Sequence, residues 1–173
     1  VADEIYLMRL VEAGALTIPA AVSADAREER FDATRIMFFG HSQGGITGGM
    51  LLALEDRLRG GLLSAAGAGM SNTLMLRKDP ADMQMLLTAL MGIEDPTELD
   101  EYHPNVTLIQ MITDVTDPAS YAGGYFAYDA TDPEAGPRSV MVTEGLLDQF
   151  TPPFTTETLM AEAAIPILAP VLH

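Results

Sequence analysis

A short apolar run that ends in a glycine-rich turn constrains this chain more than any other feature of its sequence. The run occupies residues 35–39, and the turn after it reads Gly40-His41-Ser42-Gln43-Gly44-Gly45. A continuous apolar run of this length is typical of a strand buried on both faces, as in a parallel sheet. Beyond the turn, apolar spacing predicts a helix over 46–58, with one side formed by Met50, Leu51, Leu54 and Leu58. The turn therefore joins a strand directly to a helix.

The elements around this turn predict an α/β fold with a mostly parallel sheet and flanking helices. A second apolar strand is predicted over 61–66 and a third over 139–143. Strand, helix and second strand form a βαβ unit, whose strands pair in parallel through a right-handed crossover. The other predicted elements are helices over 3–16 and 154–164, a surface connection over 23–35, and an edge strand over 165–172, where two prolines exclude a central position.

Residues 71–137 differ from the rest and predict a helical cap inserted between two strands. It contains two amphipathic segments, 82–91 and 104–113, and it is punctuated by Asp-Pro and Gly-Gly turns. Methionine is usually a flexible core filler, but in this insertion it could also line an adaptable acyl pocket, through Met83, Met85, Met91 and Met111. A chain of 173 residues suits one domain, so 1–173 is interpreted as a single domain that carries this cap.

The composition excludes several kinds of partner. The net charge is -16, from 25 acidic and 9 basic residues, and such a surface repels nucleic acids and anionic membranes. No apolar stretch reaches the roughly 18 residues of a membrane-spanning helix. The absence of cysteine rules out disulfides, thiolate metal sites and a cysteine nucleophile. The carboxylates Asp95, Glu98, Asp100 and Glu101 resemble a metal site only superficially, and a solvated loop is the favoured interpretation.

The glycine-rich turn matches the pattern Gly-x-Ser-x-Gly, in which a serine is held at a sharp strand-to-helix junction. Ser42 takes the strained position, with its hydroxyl exposed above the carboxyl end of the strand. We expect Gly40 and Gly44 to let the two elements approach without a Cβ clash. The amide of Gln43, at the start of the helix, would donate to the oxyanion formed when Ser42 attacks a carbonyl. The alternative is a glycine-rich turn with an incidental serine.

A serine nucleophile needs a histidine base and a carboxylate that orients the histidine. In this scaffold the acid follows a later strand and the histidine comes after the acid. Asp148 fits, because Gly145 lets the chain turn out of the third strand before it. Glu144, nearer to the strand end, is the other candidate acid. Alternatively, Asp148 only caps the loop in which it lies.

Three histidines are candidates for the base. His41 leaves the turn in a different direction from its neighbour Ser42, so we assign it to packing or pocket lining. His103 lies in the predicted cap and precedes the acid, which is the wrong order. His173 has the right order but is the last residue, where a chain tends to fray.

The turn at 40–45, together with Glu144-Gly-Leu-Leu-Asp-Gln-Phe-Thr-Pro-Pro153, resembles the α/β-hydrolase superfamily in its bacterial lipase and esterase branch. The resemblance implies that Ser42 is the nucleophile, that the Gln43 amide is half of the oxyanion hole, and that Asp148 is the triad acid. It implies hydrolysis of a small-molecule or lipid carboxylic ester without a cofactor or metal. It also implies a bacterial enzyme that is exported.

Two parts that the resemblance requires are not recognised in the sequence. One is a histidine loop after the last strand, and the other is a second oxyanion donor after an early strand. We therefore expect 1–173 to be an incomplete domain. The alternative function is a non-catalytic binding module that keeps the fold but lacks a working triad. Acyl transfer and peptide hydrolysis would use the same serine turn.

Overall fold

A computed structural model describes residues 1–128, 131 and 136–168 of the protein. Four of the five strands lie in the first half of the chain, a run of helices follows, and the last strand comes before the final helix. In chain order the elements are α1 (Ala2–Glu12), β1 (Thr17–Ile18), β2 (Glu29–Arg30), β3 (Ile36–His41), α2 (Gln43–Leu54), β4 (Leu58–Ser64), α3 (Met70–Leu76), α4 (Met83–Met91), α5 (Pro104–Thr113), α6 (Ala119–Ala122), β5 (Ser139–Thr143) and α7 (Pro153–Glu162).

Three parallel strands form the main sheet, in the order β3-β4-β5. The predicted α/β class, with a parallel sheet and flanking helices, is confirmed at this level. The strands lie in register, so that Gly40 of β3 is beside Leu63 of β4, which is beside Val142 of β5. All three strands therefore end at the same edge of the sheet.

Helices cover one face of this sheet. Leu51 and Leu52 of α2 are buried with Leu63 of β4 and Leu159 of α7 in the main core. Burying apolar side chains of this size stabilises the fold by about 1.5–3 kcal/mol each.

The prediction that the first long strand is buried on both faces is wrong. Met37 and Phe39 of β3 are 68% and 67% exposed, whereas the Phe38 ring between them lies against Gly48 of α2. Side chains alternate across a strand, and no element of the described residues covers the outer face at Met37 and Phe39.

Most element boundaries agree with the sequence. The predicted strand at 139–143 and helix at 104–113 are confirmed with the same bounds. Helix α2 begins three residues before its predicted start and ends at Leu54, because Leu58 already belongs to β4. The segment predicted as connection, 23–35, contains β2, which pairs with β1. Residues 165–168 do not form the predicted edge strand, and the rest of that segment lies outside the described residues.

The described residues between β4 and β5 contain the helices α3 to α6 and no strand, as expected for a helical insertion at 71–137. Its helices enclose a small core of their own, formed by Met75, Leu99 and Val106. Met91 packs against this core, whereas Met85 and Met111 are exposed. Throughout the described ranges, no helix combines the length and the hydropathy needed to traverse a bilayer.

Candidate active site

Ser42 stands alone between β3 and α2, at the carboxyl end of its strand. Its backbone has φ 54° and ψ -120°, a conformation that non-glycine residues rarely adopt. The Ser42 amide donates to the carbonyl of Ser64 at 2.9 Å, and its own carbonyl accepts from Ile46 at 3.1 Å. The first bond continues the sheet and the second opens the helix, so Ser42 is held in this conformation from both sides.

The close approach predicted at Gly40 is confirmed. A Cβ on Gly40 would lie 2.2 Å from the carbonyl oxygen of Gly44 and 2.6 Å from the Phe38 ring. The steric reason predicted for Gly44 is wrong, because a Cβ at Gly44 would meet nothing within 4 Å. The backbone of Gly44 lies against Gly40, and a side chain added at Gly44 would extend into open space.

Two further glycines of α2, which sequence reasoning missed, bring the helix onto the sheet. A Cβ on Gly45 would lie 2.8 Å from the Cβ of Ala66, and one on Gly48 would lie 2.1 Å from the Phe38 ring. Glycine in a helix interior costs about 1 kcal/mol relative to alanine, so such positions need a packing reason. The repeated Gly-Gly pairs of the sequence, at 44–45 and 48–49, were the available signal.

Gln43 is the first residue of α2. Amides in the first turn of a helix have no intrahelical acceptor, and the helix dipole makes this end electropositive. The Gln43 amide therefore meets the requirement for an oxyanion donor next to Ser42. The Gln43 side chain is exposed.

Asp148 is half-buried and organises the loop that follows β5. Its Oδ1 accepts from the amides of Phe150 at 2.8 Å and Thr151 at 2.9 Å, and its own amide donates to the Gly145 carbonyl at 3.0 Å. The capping role considered for Asp148 is therefore present. Oδ2 takes no part in these bonds, so the carboxylate can orient a histidine with its second oxygen.

Ser42 and Asp148 follow strands that flank the same neighbour. Ser42 bonds to the end of β4 through Ser64, and the next residue, Ala65, donates to Thr143 of β5 at 2.9 Å. Strands in a sheet are spaced by about 4.8 Å, so the ends of β3 and β5 lie about 10 Å apart. The nucleophile and acid candidates are thus at one edge of the sheet, with β4 between them.

The loop that contains Asp148 is also held by the insertion. The amides of Lys78 and Asp79 donate to the Gln149 carbonyl at 3.0 and 3.3 Å. The Arg77 guanidinium lies 5.3 Å from the centre of the Phe150 ring, within range of a cation–π contact. The insertion therefore supports the acid candidate directly.

The two described histidines have other partners. Nδ1 of His41 is 3.1 Å from the Ser64 hydroxyl, and Nδ1 of His103 accepts from the Asn105 amide at the start of α5. Within 1–128 and 136–168, neither ring bonds to Ser42 or Asp148. His173, the remaining candidate base, lies outside the described residues.

Glu144, the other candidate acid, is half-buried immediately after β5. It lines a groove of about 670 Å³ that β5, α7 and residues 165–168 enclose. Ser42 does not line this groove. Glu144 therefore lines a groove to which neither Ser42 nor Asp148 contributes.

Asp117 is a buried carboxylate that the sequence did not single out. Its Oδ1 accepts from the Gly69 and Ala119 amides, both at 3.0 Å, and its Oδ2 accepts from Met70 at 2.7 Å and from Gln110 Nε2 at 2.8 Å. It thereby ties the start of α3 to α5. Its partners Gly69 and Met70 lie more than forty residues away in the chain, so no local pattern reveals this connection.

No group of three or more histidine and carboxylate side chains in the described part of the chain is arranged to hold a metal ion. Comparison with known proteins adds no family: no protein-family model matches the chain, and no characterised protein has a significantly similar sequence.

Proposed function

We propose that the protein is a serine hydrolase of the α/β-hydrolase type that cleaves small-molecule or lipid carboxylic esters. The observation that carries the proposal is the backbone of Ser42. It has a φ of 54° and a ψ of -120° at a strand-to-helix junction, where the carboxyl end of β3 meets the start of α2. Strain of this kind costs about 1–3 kcal/mol, and it collects at functional sites.

In the proposed reaction, the Ser42 hydroxyl attacks the ester carbonyl and its proton passes to a histidine. The tetrahedral oxyanion is stabilised by the Gln43 amide at the start of α2. The histidine, oriented by the second oxygen of Asp148, returns the proton to the leaving alcohol. Water then attacks the acyl-enzyme, with the same histidine as base, and releases the acid and the free serine.

The histidine is the part that the described residues do not supply. His41 and His103 have the partners given above, and His173 stands where the order nucleophile, acid, base requires a histidine. Because His41 and His103 bond to residues other than Ser42 and Asp148, a second candidate function is a binding module. Such a module would keep the Gly-x-Ser-x-Gly turn and would not hydrolyse its ligand.

Hydrolysis of p-nitrophenyl acetate and butyrate separates the two candidates. The proposal predicts turnover by the full chain and its loss in Ser42→Ala, with unchanged circular dichroism. A folded full chain that hydrolyses neither ester faster than the Ser42→Ala variant would favour the binding module.

A further inference from the structure

A second groove, of about 440 Å³, lies between the insertion and the start of α7. Its apolar part is formed by Met75 and Leu76 of α3 and by Phe154 of α7. Phe154 is 53% exposed, so a ligand in the groove can contact this aromatic residue.

The groove lies near the carboxyl edge of the sheet that carries Ser42 and Asp148. Helix α3 begins after the loop that leaves β4, and Asn72 in its first turn lines the groove. On the other side, Ala68 of the same loop donates to the Thr155 carbonyl at 2.9 Å, next to Phe154. The loop that follows β4 therefore connects to both sides of the groove, and β4 is the strand between those that precede Ser42 and Asp148.

Two carboxylates, Asp100 and Glu101, line the groove beside its apolar part. The segment that carries them is fixed, because Gln84 Nε2 donates to the Leu99 carbonyl at 3.0 Å and Asp100 Oδ1 accepts from the Tyr102 amide at 3.0 Å. Both side chains are exposed, and neither forms an ion pair with any residue in 1–128 or 136–168.

The nearest basic residues in the chain are engaged elsewhere. Arg77 contacts the Phe150 ring and donates from Nε to the Asp79 carbonyl at 2.8 Å, and Lys78 pairs with Asp82 at 2.8 Å. The segment 71–128 contains nine acidic residues, and Arg77 and Lys78 are its only Lys or Arg residues. The groove thus combines an apolar wall, an exposed aromatic residue and uncompensated negative charge.

We infer that this groove binds the positively charged part of the substrate, which makes cationic esters, with a quaternary or protonated amine, the preferred class. The inference rests on the proposed function. A cation over an aromatic ring is attracted by the ring quadrupole, and the two carboxylates add charge complementarity. An apolar ester of the same shape would gain only the hydrophobic contact.

The test compares two ketones that do not hydrolyse and differ only in charge: (4-oxopentyl)trimethylammonium and 6,6-dimethylheptan-2-one. Binding to the full wild-type chain is measured by isothermal titration calorimetry at 20 mM and 500 mM NaCl. We expect the cation to bind about five-fold more tightly at low salt, as cation–π and exposed charge contacts of this kind allow. High salt should reduce the difference, because it screens exposed charges.

Asp100→Asn combined with Glu101→Gln should bring the ratio of the two affinities close to one and leave the affinity for the neutral ketone unchanged. Glu94→Gln combined with Glu98→Gln removes two carboxylates from the same part of the chain and should preserve the ratio. Equal affinities in the wild type, or a ratio that the first pair does not change, would overturn the inference. The calorimetry measures binding without turnover. A failed esterase assay would therefore count against the proposed function, whereas the ratio of the two ketone affinities tests the groove separately.

Discussion

Gly40 lies against the backbone of Gly44, so close that a Cβ on Gly40 would be 2.2 Å from the Gly44 carbonyl oxygen. This approach lets β3 turn into α2 over the single residue Ser42. The backbone conformation of Ser42 therefore depends on the close contact between Gly40 and Gly44.

Gly40→Ala should lower the free energy of unfolding by about 2–3 kcal/mol, since backbone must move to relieve the overlap. Gly44→Ala is the matched control. Its Cβ meets no atom within 4 Å, so the change should be below about 1 kcal/mol and towards higher stability, because alanine favours a helix over glycine. Urea titrations of both variants measure the difference. Equal destabilisation by the two substitutions would contradict the geometry.

Replacement of Ser42 separates strain from chemistry. Ser42→Gly removes a side chain from a residue with positive φ and should raise the free energy of unfolding by about 1 kcal/mol. Ser42→Ala keeps the Cβ and should leave stability near that of the wild type. Both variants should lose ester hydrolysis. A Ser42→Gly variant less stable than Ser42→Ala would show that the backbone there is not strained.

Asp148→Asn tests the role of charge without removing the loop contacts. The asparagine oxygen can still accept from the Phe150 and Thr151 amides, so the melting temperature should change little. The neutral side chain cannot stabilise an imidazolium, and kcat should fall by about 10³–10⁴-fold, as for other triad acids. Asp148→Ala should lose both activity and loop stability. Full activity in Asp148→Asn would assign Asp148 to loop capping alone.

Tyr125 is fully buried, and its hydroxyl has no hydrogen-bond partner among the described residues. An unpaired buried hydroxyl costs about 1–3 kcal/mol, so Tyr125→Phe should be neutral or stabilising at pH 7. A reduced stability of the variant under those conditions would indicate that the hydroxyl contributes a contact.

The same tyrosine predicts an alkaline loss of stability. Burial, and secondarily the charge of Asp117, raise the pKa of Tyr125 above its ordinary value of 10.0. Above pH 10 the unfolded chain releases this proton and the folded chain retains it, so the stability contribution falls as pH rises. Unfolding curves from pH 9 to 11 should show a steeper decline for the wild type than for Tyr125→Phe. Parallel declines would contradict a buried phenol.

The sequence predicted the elements whose signal is local. The strand at 139–143 and the helix at 104–113 are bounded by residues that fix their ends, such as Pro104 at the start of the helix. The serine turn was also recognisable, because the required residues lie within six positions. Helix α2 was predicted to start too late because its first residues include glycines, which disfavour helices and serve close packing here.

Other features depend on distant residues. The exposed face of β3 could not be foreseen, because an apolar run does not show whether another element covers it. The hydrogen bonds from Gly69 and Met70 to Asp117 join residues that are 48 and 47 positions apart, and no sequence pattern around Asp117 predicts them. The groove at Phe154 likewise joins segments that only the fold brings together.

Covalent labelling shows whether Ser42 is an activated nucleophile. The folded full chain is treated with a fluorophosphonate probe, digested and sequenced by mass spectrometry. We expect covalent modification of the peptide that contains Ser42, and we expect it to be abolished in Ser42→Ala and in heat-unfolded protein. A folded chain that remains unmodified, or that is modified only at other serines, would contradict it.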